Sequence, residues 1–215
     1  ATMNYQGFNI PMWSWLSGYY LGQDAEPNRP RYYTPTPAFA EQLAQFRASV
    51  PWVIARQQFH QLGSHDTTRV LNILEGDKQL VKLGLALLLS YPGVPCVYYG
   101  DEIGLGGKRD PDNRRTMPWD ESQWDTNLLA YHKRWIEFRK TAPALLEGGY
   151  QDIWAEGDVW AFLRQSHTQR LLIISNRGKS AMSVHHIPVW QGGYADGTRL
   201  KEVFTGQEVV VENGE

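Results

Sequence analysis

Apolar positions along the chain fall into several rhythms, each predicting an element. Phe39, Leu43, Phe46 and Val50 lie at offsets of four, seven and eleven, one face of a helix announced by Thr36 as N-cap and Pro37 at the first helical position. Pro51 interrupts that stripe. Trp52 to His60 continues helically and gives way to a short apolar strand ending near Leu62-Gly63. From Asp77 to Ser90 the leucines lie nearly all round, which predicts a helix buried on most sides. Tyr91-Pro92-Gly93 stops it, and Pro95 to Gly100 reads as a wholly buried strand of the kind parallel sheets use. Leu128, Tyr131, Trp135 and Phe138 then mark a helix to Lys140. Alternating strands and helices with loops after the strands are the signature of βα units.

Beyond Pro143 the rhythm changes. Tyr150–Trp154, Val159–Leu163, Leu171–Ser175, Ser183–Ile187 and Glu202–Val211 are short β-type runs broken by Gly, Asn and Asp. They predict an antiparallel β-sandwich domain over 146–215 following an α/β domain over 1–145, with the last sandwich strand missing.

Composition narrows the class. With 42% hydrophobic and 20% charged residues and a net charge of -2, the chain is not disordered and has no surplus charge to hold nucleic acid or an anionic membrane. A length of 215 residues falls short of the roughly 250 of a complete eight-unit α/β barrel, so a barrel reading makes this chain a piece. It opens on Ala1 without an initiator methionine, which fits a beginning that has been cut. Cys96 is the one cysteine, expected buried and free, in keeping with a reducing cytoplasm. Nine tryptophans, eleven tyrosines and seven phenylalanines are a surplus for a core of this size; aromatic faces stack on sugars and bases or simply fill cores, and Trp119 and Trp13 are the candidates for stacking on sugar.

Active sites of parallel α/β folds lie past the carboxyl ends of strands, which directs attention to Gly63–Arg69 and Gly100–Arg114. Asp66 beside His65 is either a helix N-cap or a carboxylate that accepts from two adjacent sugar hydroxyls. Asp110 and Arg114 either clamp hydroxyls or pair with each other to hold their loop. Asp101-Glu102, extended, would point to opposite faces and so serve structure. Asp110, Asp112 and Glu121 sit at positions one, three and twelve of a calcium-loop template, but Arg114 and Arg115 occupy its fifth and sixth positions, so no metal is expected. His185-His186 lies on a predicted solvated strand face.

Taken together the loops resemble a known family. Gly63-Ser64-His65-Asp66 is similar to the "NHD" segment of the α-amylase clan of glycoside hydrolases, with Ser64 where asparagine is usual. Gly93-Val94-Pro95-Cys96-Val97-Tyr98-Tyr99-Gly100-Asp101-Glu102-Ile103-Gly104 resembles its "GxPxxYYGDEIG" eighth strand. Asp110 to Trp119 resembles the "DPxxRxxMxW" loop, and Met3-Asn4-Tyr5 the "MNY" end of the sixth strand. Within the clan the likeness is nearest to bacterial maltodextrin glucosidases, beside the neopullulanases and cyclomaltodextrinases.

The resemblance implies a fold and a chemistry. The fold is the C-terminal part of a (β/α)₈ TIM barrel, strands six to eight with their helices, followed by the β-sandwich. The chemistry is retaining hydrolysis of α-1,4 bonds in maltodextrins with release of glucose, without cofactor. Asp66 would be the transition-state stabiliser, while His65, Asp110 and Arg114 would bind substrate. The nucleophile and acid/base would lie upstream, on the remaining N-terminal part, so the isolated chain is expected to be inactive. Cyclomaltodextrinase or neopullulanase activity, and a non-catalytic carbohydrate-binding module, are the alternatives.

Overall fold

The computed structural model describes residues 3–21, 23, 30–180 and 187–215. Its centre is a run of parallel extended segments. Strand β1 (Phe59–Gln61) pairs in parallel with β2 (Val94–Cys96) in the register Phe59↔Val94 to Gln61↔Cys96, and Met3 forms a parallel bridge to Phe59. Helices surround it: α1 (Ile10–Ser17), α2 (Thr36–Ala48), α3 (Trp52–Ala55), α4 (Val70–Ile73), α5 (Lys78–Ser90), α6 (Thr126–Thr141) and α7 (Pro143–Leu146). None is long and apolar enough to cross a membrane, among the described residues.

Local chemistry sets the helix starts. Asp77 accepts from the backbone N–H groups of Gln79 (2.9 Å) and Leu80 (3.2 Å), satisfying donors that the first turn of α5 leaves open. Asp125 does the same for Leu128 at the start of α6 (2.9 Å) and also receives Lys78 Nζ at 2.7 Å, joining the two helix starts. Pro35, not Thr36, precedes α2, and Pro37 lies in its first turn. Thr36 is buried because its hydroxyl works across the fold instead, accepting from Trp15 Nε1 (2.9 Å) and donating to the Gly157 carbonyl.

Strands β3 (Gly149–Glu156), β4 (Val159–Gln165) and β5 (Arg170–Asn176) form an antiparallel meander in that spatial order. Alternation along β4 gives it two buried faces. Trp160 and Phe162 join a core with Phe8, Trp15 and Phe39 from the helical layer. Ala161 and Leu163 pack instead with Ile153, Ile187, Tyr194 and Val211. Trp15 stacks on Phe39 at 4.6 Å, and both meet Trp160 edge-on at 6.3 and 5.0 Å. The largest core therefore runs across position 145. A separate hairpin of β6 (Arg199–Lys201) and β7 (Glu208–Val210) follows.

Several expectations need correction. The helix expected through His60 ends at Ala55, because the chain then extends to pair with its neighbours as β1. The strand expected to be wholly buried over Pro95 to Gly100 is the shorter β2. Val94 is 44% exposed and Cys96 only half-buried, since β2 pairs on one side alone among the described residues. The run Glu202–Val211 is split: the Glu202 carboxylate accepts from the N–H groups of Phe204 (2.8 Å) and Thr205, and Gly206 takes φ +76°, so the chain turns before β7. Ser183 to His186, which includes His185-His186, lies outside the described residues.

His60 gives β1 a pH signature. Its ring stacks on Phe8 at 4.5 Å, and Nε2 lies 3.0 Å from Asn4 Nδ2. Since Asn4 Oδ1 already accepts from Gly7 N–H (2.9 Å), the Asn4 amide donates and His60 must accept as the neutral ring. Burial, then the nearby Arg139 charge, lowers its pKa to about 3. The unfolded chain takes up a proton near pH 6.5 while the folded one does not until about 3, so this contribution is complete above about 6.5 and is lost as pH falls through that window. We expect His60→Gln to flatten the acid decline of the melting temperature between about pH 6.5 and 4; an unchanged decline contradicts this assignment.

Candidate active site

The loop after β1 closes on its own hydroxyls. Ser64 N–H donates to Thr67 Oγ1 (3.1 Å), Asp66 N–H donates to Ser64 Oγ (3.1 Å), and Tyr5 Oη lies 2.7 Å from the same Oγ. Trp13, suggested as a sugar platform, is fully buried and donates from Nε1 to the Leu62 carbonyl (2.8 Å), so it anchors β1 instead. The cap alternative for Asp66 is not what forms: α4 begins after Arg69 with no side-chain cap, and Asp66 stays half-exposed.

The loop after β2 is built from tight turns. Asp101–Ile103 is a single 3₁₀ turn between left-handed Gly100 and Gly104, so Asp101 and Glu102 are not extended neighbours. Asp101 is buried against Arg69, whereas Glu102 is half-buried. At Gly107 a Cβ would come within 2.5 Å of the Asp112 carbonyl oxygen, so only glycine lets the chain pass. Asp112 is occupied by the Lys108 N–H (2.7 Å) and by Arg115, contacts that hold its carboxyl below the usual range. No cluster of three or more His, Cys, Asp or Glu side chains suited to a metal occurs among the described residues.

All four residues singled out from the sequence come together. Asp66 Oδ1 lies 3.2 Å from His65 Nε2 and 3.8 Å from Arg114 Nη2, and Arg114 Nε lies 2.7 Å from Asp110 Oδ1 and donates to the His65 carbonyl at 3.1 Å. Asp110 and Arg114 thus pair with each other. Their side chains are about half-exposed, so these ion pairs add little to stability and leave carboxylate and guanidinium edges open to a polar ligand. A cleft of about 620 Å³ opens beside the second loop, lined by Leu105, Gly106, Arg115, Thr116, Pro118 and Gln123. Next to Pro118, Trp119 is 80% exposed.

A family model described as alpha amylase, catalytic domain, matches residues 20–148. The chain belongs to the alpha-amylase family. Among curated members, a cyclomaltodextrinase of a Bacillus species is 31% identical over 93% of this chain and 34% of its own length. Neopullulanase 2 of Thermoactinomyces vulgaris is 30% identical over 82% of this chain and 30% of its own length. Among solved structures, Ttha1563 from Thermus thermophilus superposes with a TM-score of 0.85 at 29% identity, covering 99% of this chain and 44% of that one. The cyclic alpha-maltosyl-(1→6)-maltose hydrolase of Arthrobacter globiformis gives 0.71 at 34% identity, over 82% of this chain and 37% of that one. The chain spans about a third of the length of these curated relatives.

Two residues of this candidate site escaped the sequence reading. Asn113 is fully buried and donates from Nδ2 to the carbonyls of His65 and Thr67, both at 2.8 Å, tying one loop to the other. Arg69 is fully buried and reaches the Tyr99 carbonyl at 2.6 Å. The signal for Asn113 was its place between Asp110 and Arg114, the two charged members of one motif; nothing local marks its burial.

Proposed function

We propose that this chain is the part of an α-glucan-cleaving glycoside hydrolase that bears its third catalytic carboxylate, and that the complete protein opens cyclic or branched malto-oligosaccharides as a cyclomaltodextrinase or neopullulanase does. Glucose release from linear maltodextrins, the first expectation, is the less favoured reading because the matched relatives carry cyclomaltodextrinase and neopullulanase names. The observation that carries the proposal is the convergence of His65, Asp66, Asp110 and Arg114 within hydrogen-bonding and ion-pairing reach of one another.

In this reading Asp66 accepts from adjacent hydroxyls of the sugar at the cleaved bond. As positive charge develops on that ring its hydroxyls become better donors, so the interaction strengthens toward the transition state. His65 binds the same sugar, and Asp110 with Arg114 holds the next unit toward the non-reducing end. Retention needs two more carboxylates about 5–5.5 Å apart; the proposal assigns them to the part of the protein that precedes this chain. It assigns 1–145 to strands six to eight and their helices, 146–215 to a C-terminal sandwich, and the enzyme to the cytoplasm. The parallel run Met3, β1, β2 and the meander after α7 support that division.

Product analysis of the complete protein on γ-cyclodextrin, pullulan and maltotriose tests the reading. Ring opening or pullulan cleavage faster than glucose release from maltotriose is expected. Glucose release alone would restore the α-glucosidase reading, and no cleavage of any of the three would end the hydrolase proposal. The isolated chain should show no turnover above background.

A further inference from the structure

Arg69 and Asp101 form the buried ion pair of this region. Arg69 Nη1 lies 3.2 Å from Asp101 Oδ1, with side-chain exposures of 0% and 6%. The Arg69 guanidinium carbon sits 4.4 and 4.6 Å from the ring centroids of Tyr98 and Tyr99. Its Nε and Nη2 find no oxygen acceptor, so those two aromatic faces add to what the carboxylate and the Tyr99 carbonyl at Nη1 supply. Three contacts of Arg69 join the first loop to the second, the one to Asp101 among them. Arg69 N–H donates to the Gly107 carbonyl at 2.9 Å, and Nη1 donates to the Tyr99 carbonyl. The backbone at Gly63, where the first loop starts, runs so close that a Cβ there would stand 3.0 Å from Asp101 Oδ2.

A buried pair of this kind is weak evidence for stability, because desolvating two charges offsets their attraction. What it does supply is geometry: a charge-assisted contact fixed in position, with a packed aromatic wall on one side and glycine backbone on the other. We infer that the Arg69–Asp101 pair is a positioning device, locking the loop that carries His65 and Asp66 to the loop that carries Asp110 and Arg114 so that both grip one substrate at a fixed separation. The inference rests on the reading of Asp66 given above.

Charge on Asp101 is essential to such a lock. The groups around it are Arg69, Tyr98, Tyr99, the adjoining Glu102, and Cys96 and His132, which line a small cavity with it. Burial raises the Asp101 pKa to about 7 against the opposing pull of Arg69. Protonation therefore loosens the lock on the acid side of about 7, and an asparagine at this position mimics the loosened state at every pH.

The test uses the complete enzyme. Asp101→Asn should lower kcat per folded molecule by about tenfold or more at alkaline pH with KM changed less than about threefold, the pattern of a contact felt in the transition state. The parent-to-variant kcat ratio should grow from about pH 6 to about pH 8, a division that cancels the titration of shared acid and base groups. Arg69→Lys, which keeps the charge but not the planar fork, should show a smaller kcat loss and answers the question if Asp101→Asn fails to fold. Equal kcat per folded molecule, or a ratio flat with pH, overturns the inference. Asp66→Asn measured alongside separates the two claims: an inactive Asp66→Asn with a fully active Asp101→Asn removes only the lock, whereas an active Asp66→Asn removes both.

Discussion

Asp66→Asn in the complete enzyme should lower kcat by about 10²–10³-fold, the scale of losing one preorganised electrostatic contact to a developing charge, while KM stays within about threefold. First, the carboxylate is presented, not consumed by the fold: the loop's own hydroxyls satisfy its backbone donors, and Asp66 is half-exposed with His65 and Arg114 beside it. Asparagine has nearly the same shape, so the fold and the ground-state contacts persist. Second, a neutral amide oxygen is a weaker acceptor than a carboxylate, and the deficit grows as the bound sugar gains positive charge. The loss therefore appears in kcat. Near-parent kcat would contradict the role given to Asp66, and a rise in KM alone would make it a ground-state binding residue like Arg114. Circular dichroism and melting of the variant should match the parent.

What could be read from the chain was chemistry concentrated at strand ends. His65-Asp66 and the Asp110–Arg114 spacing lie in the loops that follow β1 and β2, and their side chains stay near solvent, so local sequence speaks for them. Polar residues whose function depends on burial were not legible. Asn113 and Arg69 have ordinary loop neighbours, and only closure of one loop on the other removes them from water. The first segment was missed for a different reason. Tyr5–Asn9 makes a wide π turn capped by Asn4 and runs into α1, which is apolar almost throughout, so it offers no contrasting face for a period to show. Helix α5, with an Asp cap and a long apolar run, and α6, with an Asp cap and a periodic apolar stripe, were read to within a few residues. The aromatic surplus divides the same way: Trp13, Trp15 and Trp160 are fully buried, whereas Trp119 is open beside the second loop.

Trp160→Ala carries the largest expected effect on stability, about 3–5 kcal/mol, the range for emptying a fully buried aromatic site. Trp160 is 0% exposed on β4, with Trp15 at 6.3 Å, Phe39 at 5.0 Å and Phe162 at 4.6 Å, and its Nε1 donates to Asp152 at 3.3 Å. Neighbours cannot collapse into the gap cheaply. Trp15 is held by Thr36, and Arg177 reaches past the sheet to the Trp15 and Thr34 carbonyls, so two elements on each side are pinned. The cost falls on the helical layer as much as on the sheet, since one core spans both. Chemical denaturation of Trp160→Ala should therefore shift one cooperative transition for the whole unit. A separate early transition of the residues after α7, leaving the α/β layer at parent stability, would contradict a shared core. Val209→Ala on the exposed hairpin, where the side chain is 63% open, is the matching control and should leave the transition nearly unchanged.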